Sequence, residues 1–301
     1  MLKIAFFGLP LAALLLDRDG HELVYAGLCR KAAIGERRLR AKLGERVARV
    51  PRLDGKLKDK LAALAPDLVV SWYWTNKLPE TFLKLAPLGT VGVHPSLLPR
   101  HRGPDPTFWT LLRGDAVTGV TAHRLERDYD TGAMLGSRTL EVAPHWNSWT
   151  LAKKLDRPSL ALLRDVVMAF ARGDAPREIA QDPAFATEAP SPTEEELRLD
   201  FRRPAEELVR LVRAASPFPG AWFQLEDEIV VVTRAAVEVG LPRALEPANA
   251  YVHRGRAVVR TADFGLVLLA GRLVGDDQEI DLDEGQLANL VARLSEGPRL
   301  A

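Results

Sequence analysis

The sequence predicts an α/β protein: a parallel sheet covered by helices in the N-terminal half, followed by a smaller β-rich domain. Three observations carry this. Short apolar runs rich in β-formers alternate with helix-like stretches up to about residue 171. A segment rich in Pro, Asp, Glu and Ala, from Gly173 to about Glu194, then interrupts the pattern. Beyond Pro204 and one amphipathic helix, short strands alternate with Gly, Asp and Pro turns, as in a small antiparallel barrel or sandwich.

The elements follow in order. Residues 3–8 form a fully buried strand, short, apolar and ended by Gly8. Residues 9–16 are helical, Asp19-Gly20 is a turn, and 22–29 give a second strand. A basic helix around 37–43, a short strand at 47–50 and a helix over 53–64 precede strands at 67–72 and 91–94. Strands alternating with helices imply a parallel sheet with both faces covered. Pro106 opens a helix to Arg113 at a position where its missing N–H is harmless. Strands at 117–125 and 134–142 flank the Asp130-Thr131-Gly132 turn, and a long helix over 148–171 closes the domain. The expected organisation is a first domain at 1–173, a linker at 174–203 and a second domain at 204–301. In the second, strands at 229–233, 257–261 and 265–269 precede a helix over 283–294.

Composition narrows the function classes. With 301 residues, 47% apolar and 27% charged, the chain can build two soluble cores. No apolar run reaches the ~18–20 residues of a membrane-spanning helix. The opening run stops at Gly8, too short for a secretory signal. A single cysteine, Cys29, excludes an internal disulfide and fits a reducing cytoplasm. Six scattered histidines argue against a structural zinc site, so no metal is expected. Net charge is +1, but residues 30–60 hold twelve Lys or Arg against four Asp or Glu. That stretch is either a solvated helix face or a basic surface for an anionic substrate such as a phosphate or tRNA. The Rossmann-like alternation lacks its dinucleotide fingerprint, because Phe7-Gly8-Leu9-Pro10 has one glycine where three are needed. A P-loop motif is absent as well.

Chemistry concentrates between residues 88 and 135. A short strand ends at His94, and a proline-bounded loop, Pro95-Ser96-Leu97-Leu98-Pro99-Arg100-His101-Arg102-Gly103, follows at once. Asp130 closes a neighbouring strand, so His94 and Asp130 make a candidate acid–base pair. Each has a blander reading: a core histidine, and an aspartate bracing a turn. Trp72, Tyr73 and Trp74 are either core aromatics or a ligand wall. Arg100 and Arg102 either tie down their loop or meet a phosphate. His101 and His123 are structural or substrate-flanking.

The run from His94 to Gly103, with Thr118-Gly119-Val120-Thr121 and Asp130-Thr131-Gly132 followed by Met134-Leu135, resembles the folate-dependent formyltransferase family. The likeness extends to Phe6-Phe7-Gly8, to residues 66–74, and to Pro204-Ala205 and Pro217 with Pro219-Gly220-Ala221, which resemble the start of that family's C-terminal OB-like domain. That family includes methionyl-tRNA formyltransferases and sugar-nucleotide N-formyltransferases. The resemblance implies formyl transfer from 10-formyltetrahydrofolate to an amine, by a triad of Asn, His and Asp. His94 and Asp130 match two members, and Gly92 stands where the asparagine belongs. On the same basis Trp72, Tyr73, Trp74, Leu78 and Asp128 belong to the folate side, and Ser96, Arg100 and Arg102 to the acceptor side.

Losing one oxyanion donor costs about 3–4 kcal/mol, or roughly 10²–10³ in turnover. A water or a neighbour such as Asn76 or Asp105 could stand in, the substrate could differ, or formyl transfer could have lapsed. The Lys-free stretch 204–301 and the missing glycine-rich insertion favour a small acceptor, such as a nucleotide-linked amino sugar, over tRNA. Open alternatives are a methionyl-tRNA formyltransferase, an impaired member that binds or regulates, and a hydrolase of the formyl donor.

Overall fold

The computed structural model describes residues 1–225, 228–240, 246–275 and 278–294. The remaining positions of the expected C-terminal domain lie outside the described residues. Two compact units divide the chain. The first comprises Met1–Pro106, Val117–Glu141 and Lys153–Pro190; the second comprises Thr107–Ala116, Val142–Ala152 and Ser191–Ala301.

In chain order the N-terminal elements are β1 (Lys3–Gly8), α1 (Pro10–Arg18), β2 (Glu22–Leu28), α2 (Glu36–Leu43), β3 (Val47–Arg49), α3 (Gly55–Ala63), β4 (Leu68–Trp72), α4 (Glu80–Leu83), β5 (Thr90–His94), α5 (Pro106–Arg113), β6 (Val117–Arg124), β7 (Met134–Glu141) and α6 (Ser148–Arg172). Their seven strands form one sheet in the order β3-β2-β1-β4-β5-β6-β7. β1 to β5 run parallel, as the alternation predicts. β6 and β7 are antiparallel additions, so the sheet is mixed. A parallel partner needs a crossover back to the opposite end of the sheet; β6 and β7 are joined by a short loop, which returns the chain antiparallel.

The first strands are apolar on both faces because both are covered: Ile4, Ala5, Phe6 and Phe7 are all fully buried. Strand order reverses between β1 and β4, where open α/β sheets leave a crevice beyond the strand ends. Gly8 lies at this crossing. Its φ is +144°, and an added Cβ would stand 1.9 Å from the Trp72 carbonyl oxygen. A core of Phe7, Tyr25, Leu61, Val69, Leu78, Phe82 and Leu83 fills the space beneath, with Trp74 and Leu125 packed against it.

The segment expected as a linker is held by backbone bonds. Met134 and Ile179 exchange N–H···O bonds at 2.8 and 2.9 Å, and Ala189 N–H donates to the Arg102 carbonyl at 2.6 Å. From Ser191 the chain belongs to the second unit. There α7 (Glu194–Leu197) opens with a Thr193/Glu196 capping box. In α8 (Ala205–Ala215), Leu208, Leu211, Val212 and Ala215 form a buried stripe at helical spacing. After the Pro-rich stretch come β8 (Ala221–Leu225), β9 (Glu228–Glu238), β10 (Ala250–His253), β11 (Arg256–Arg260), β12 (Gly265–Val274), β13 (Glu279–Leu282) and α9 (Glu284–Leu294). The six strands are antiparallel, ordered β10-β11-β12-β9-β8 with β13 on β12. Among the described residues no helix is long and apolar enough to cross a membrane.

Gly8→Ala is expected to force β1 from β4 and to cost at least about 2 kcal/mol, read by urea unfolding. A wild-type midpoint would contradict this account of the crossing.

Candidate active site

β5 ends at His94, and the loop beyond supplies the backbone that orients its ring. The side chain is buried, with Nε2 2.7 Å from the His101 carbonyl oxygen. A carbonyl only accepts, so Nε2 donates and carries a proton. Nδ1 faces Oδ2 of Asp130 at 3.4 Å. The loop is tied internally. Ser96 Oγ donates to the Arg100 carbonyl at 2.6 Å, and Thr121 Oγ1 donates to the Ser96 carbonyl at 2.8 Å.

Asp130 itself sits at φ +55°, a left-handed conformation that Asp tolerates better than most residues. Gln181 clamps this turn: its Nε2 donates to the carbonyls of Asp130 and Gly132, both at 2.7 Å. Gln181 is held in turn by Arg102, whose Nε and Nη2 donate to its Oε1 at 3.0 and 2.7 Å. The Gly103 N–H donates to Asp130 Oδ2 at 2.9 Å. Gly103 has φ +120°, and a Cβ there would come within 2.8 Å of the Ala189 carbonyl oxygen, so glycine suits this approach.

A second imidazole completes the cluster. The β6–β7 register shifts between Ala122 and His123, an irregularity of the kind that re-aims side chains beside sites. His123 is buried, with Nε2 3.5 Å from Asp130 Oδ1 and Nδ1 2.8 Å from the Arg124 carbonyl. Burial pushes its pKa down to about 4, against the opposing pull of the Asp130 carboxylate.

A cavity of about 440 Å³ opens beside these groups. His94, His123, Asp130 and Gly92 line it, with Tyr73, Trp74, Leu78 and Asp128 among the other wall residues. Asn76 also lines it; Asp105, Trp72, Ser96, Arg100 and Arg102 do not. Trp72 is buried, donating from Nε1 to Ser159 Oγ at 2.8 Å. Tyr73, at φ +53°, hydrogen-bonds through its hydroxyl with Asp156 and Ser159 of α6. Burial raises the pKa of both Tyr73 and Asp156. Arg100 is exposed on its loop.

Gly92 lines the cavity without a side chain. A Cβ on this residue would lie 2.5 Å from Leu125 Cδ1. The volume that a side chain at position 92 would enter is therefore occupied by an aliphatic group with no donor. Among the described residues, no group of three or more His, Cys, Asp or Glu is placed to hold a metal ion.

Comparison with known proteins supplies the family. Residues 26–167 match the family model described as formyl transferase, and residues 192–278 match the formyl transferase C-terminal domain. The chain belongs to the formyl transferase family. It is 35% identical over 288 residues to a methionyl-tRNA formyltransferase of Anaeromyxobacter dehalogenans, covering 90% of this chain and 92% of the relative. A methionyl-tRNA formyltransferase of Desulfotalea psychrophila is 38% identical over 168 residues, 56% of this chain and 52% of the relative. Two solved structures share the fold. HypX from Aquifex aeolicus in complex with tetrahydrofolic acid has a TM-score of 0.66 at 19% identity; the match covers 95% of this chain and 46% of HypX, so the chain spans about half of that protein. An N-formyltransferase from Helicobacter canadensis, in complex with folinic acid and dTDP-3-aminofucose, gives 0.68 at 10% identity over 89% and 99%.

In this neighbourhood the residues that sequence reasoning passed over are Gln181 and Leu125, and His123 was read only as structural or substrate-flanking. Gln181 acts across 51 residues on Asp130, inside a stretch read as linker, and no local signal marks it. Leu125 had one: pairing β5 with β6 sets His123 opposite Gly92, which brings residue 125 into the neighbourhood.

Two outcomes follow from this geometry. Gln181→Ala leaves two turn carbonyls without their donor and is expected to cost about 1–3 kcal/mol in urea unfolding. His123 stays neutral in the folded chain below its ordinary value of 6.5, so the unfolded chain binds more protons as pH falls from 6.5 toward about 4. Across that window the protein should lose about 3 kcal/mol of stability through this ring, and His123→Gln should flatten that part of the curve. Equal slopes in both proteins would refute the assignment.

Proposed function

We propose that this formyl transferase moves a formyl group from 10-formyltetrahydrofolate to a primary amine, with Asp130 and His94 handling the proton. The supporting observation is the buried His94–Asp130 contact on a cavity at the sheet's strand ends, walled by Tyr73 and Trp74. In this reading the amine nitrogen bonds to the formyl carbon and the carbonyl electron pair moves to oxygen. Asp130 takes the proton that the nitrogen sheds. Collapse of the tetrahedral centre breaks the bond from carbon to the folate nitrogen, which leaves with a proton. His94, its Nε2 fixed by the His101 carbonyl, sets Nδ1 3.4 Å from Asp130 Oδ2, where it can share the proton that the carboxylate takes up.

The oxyanion half of such a site is weak here. Gly92 offers no side-chain donor, and Leu125 fills the adjoining space. We therefore expect turnover roughly 10²–10³ below that of a site with the full set of donors.

For the acceptor, the lysine-free stretch 204–301 supports a small amine such as a nucleotide-linked amino sugar. A second reading, the amino group of an aminoacyl-tRNA, is favoured by 35% identity to methionyl-tRNA formyltransferases along nine-tenths of the chain.

Tetrahydrofolate release should be measured with 10-formyltetrahydrofolate and each acceptor class in turn. Wild-type release should be slow but above that of His94→Ala. Gly92→Asn combined with Leu125→Ala should raise it by roughly 10²–10³, whereas Gly92→Asn alone should gain less because Leu125 stands in the way. Donor binding without release from any acceptor, in wild type and double variant alike, would replace this reading with a binding or regulatory role.

A further inference from the structure

The backbone dictates where the two imidazoles at Asp130 carry their protons. His94 Nε2 meets the His101 carbonyl at 2.7 Å, and His123 Nδ1 meets the Arg124 carbonyl at 2.8 Å. Because a carbonyl oxygen only accepts, a neutral ring places its single proton on that nitrogen. Each ring then turns a lone pair toward the carboxylate: His94 Nδ1 toward Oδ2 at 3.4 Å, His123 Nε2 toward Oδ1 at 3.5 Å. The Gly103 N–H satisfies Oδ2 at 2.9 Å. At each carboxylate oxygen a ring-nitrogen lone pair then faces another acceptor, Nδ1 of His94 at Oδ2 and Nε2 of His123 at Oδ1. One added proton turns a repulsive contact among them into a hydrogen bond.

We infer that His123 is a positioning residue for proton transfer: its Nε2 shares the proton that Asp130 removes from the attacking amine. The inference rests on the formyl-transfer reading above. The N–H bond of the amine breaks, its electron pair stays on nitrogen, and the proton settles on Asp130 Oδ1 with His123 Nε2 as acceptor. The same proton is available to the departing folate nitrogen when the bond from carbon breaks. The cluster begins and ends the cycle with the same proton count, so no further reactant is needed.

The surroundings support this assignment. The titratable groups acting on His123 are Asp130 and His94. Arg124, its neighbour on β6, turns its guanidinium to Glu178 and to the Leu88 carbonyl. From the loops around the cavity come Tyr73, Glu126, Tyr129 and the Lys77–Asp128 pair, whose charges are 3.9 Å apart. Burial holds His123 near 4, so its ring is neutral around pH 7, as a proton acceptor must be.

The test has an arm that needs no turnover. In the full chain labelled with nitrogen-15 histidine, two-bond N–H correlations report each ring's tautomer; signals are assigned with His94→Gln and His123→Phe. His123 should be neutral with its proton on Nδ1 at about pH 7, and still neutral at about pH 5. A proton on Nε2, or a charged ring at about pH 7, overturns the inference whether or not the protein is active. In the kinetic arm, His123→Phe removes the acceptor and disfavours the protonated cluster. The acid limb of kcat/KM should move down by about one pH unit and kcat should fall roughly tenfold, with donor KM little changed. His123→Gln, which can present an amide oxygen near the Nε2 position, should recover part of both effects and covers the case in which the phenylalanine variant fails to fold. An unmoved or upward-moving acid limb in an active protein overturns the inference. Absence of turnover in wild type defeats the formyl-transfer reading instead, while the tautomers still decide whether His123 is poised to accept a proton from Asp130.

Discussion

The candidate site depends on one half-buried carboxylate. Asp130 is 16% exposed, and taking a carboxylate out of water is costly unless other groups replace the lost hydration. Here the donor is the Gly103 N–H from the loop after β5, while His94 from the end of β5 and His123 from the irregular end of β6 set ring nitrogens 3.4 and 3.5 Å from the two carboxylate oxygens. Gln181 and Arg102 act on the turn and not on the charge, holding Asp130 in a left-handed conformation that would otherwise be a minor one. Each group leaves an unmet partner if removed. Such networks behave as units, and the energy of one contact has little meaning without the others.

The same neighbourhood separates two contributions that formyl transfer usually combines. Moving a proton needs an acceptor near the attacking nitrogen; stabilising an oxyanion needs donors aimed at the carbonyl oxygen. Around Asp130 the structure offers candidate proton acceptors, and beside Gly92 it places Leu125, which also packs against the central core of the unit. An aliphatic group anchored in a core does not yield readily to water, because filling the space with solvent would mean giving up buried contacts. The glycine and the leucine therefore act as a pair. A side chain at position 92 would require the Leu125 methyl to shift.

Much of the fold could be read from periodicity. Strands buried on both faces, such as β1 and β4, announce themselves as unbroken apolar runs, and the helices between them by their spacing. The antiparallel direction of β6 and β7 could not be read that way, because strand direction depends on where the connecting chain returns and not on the strand's residues. β10 and β13, four residues each, are too short to show a period. At the site, His94, Gly92 and Asp130 were legible because they lie in long local motifs, and the structure sets all three on one cavity wall. Ser96 and Arg102 sit in the same motifs, yet their polar atoms are used to brace the loop and the Gln181 clamp. Composition does not distinguish an arginine facing a ligand from one facing a glutamine 79 residues away.

The aromatic wall hangs on a different part of the fold from the proton chemistry. Tyr73 leaves β4 with φ +53° and reaches α6, where its hydroxyl meets Asp156 and Ser159, while Trp72 uses the same serine. Those anchors are distinct from the loop after β5 and from the Asp130 turn. A change in α6 would alter the shape of the cavity without touching the carboxylate and its imidazoles. A change at Gly92 would meet Leu125 without touching those anchors. One scaffold can then vary what it binds, how it moves a proton and how it stabilises a developing charge along three largely separate lines. Under the proposed formyl transfer, Gly92 and Leu125 leave the third line without a side-chain donor, while the groups around Asp130 and the aromatic wall suit the first two.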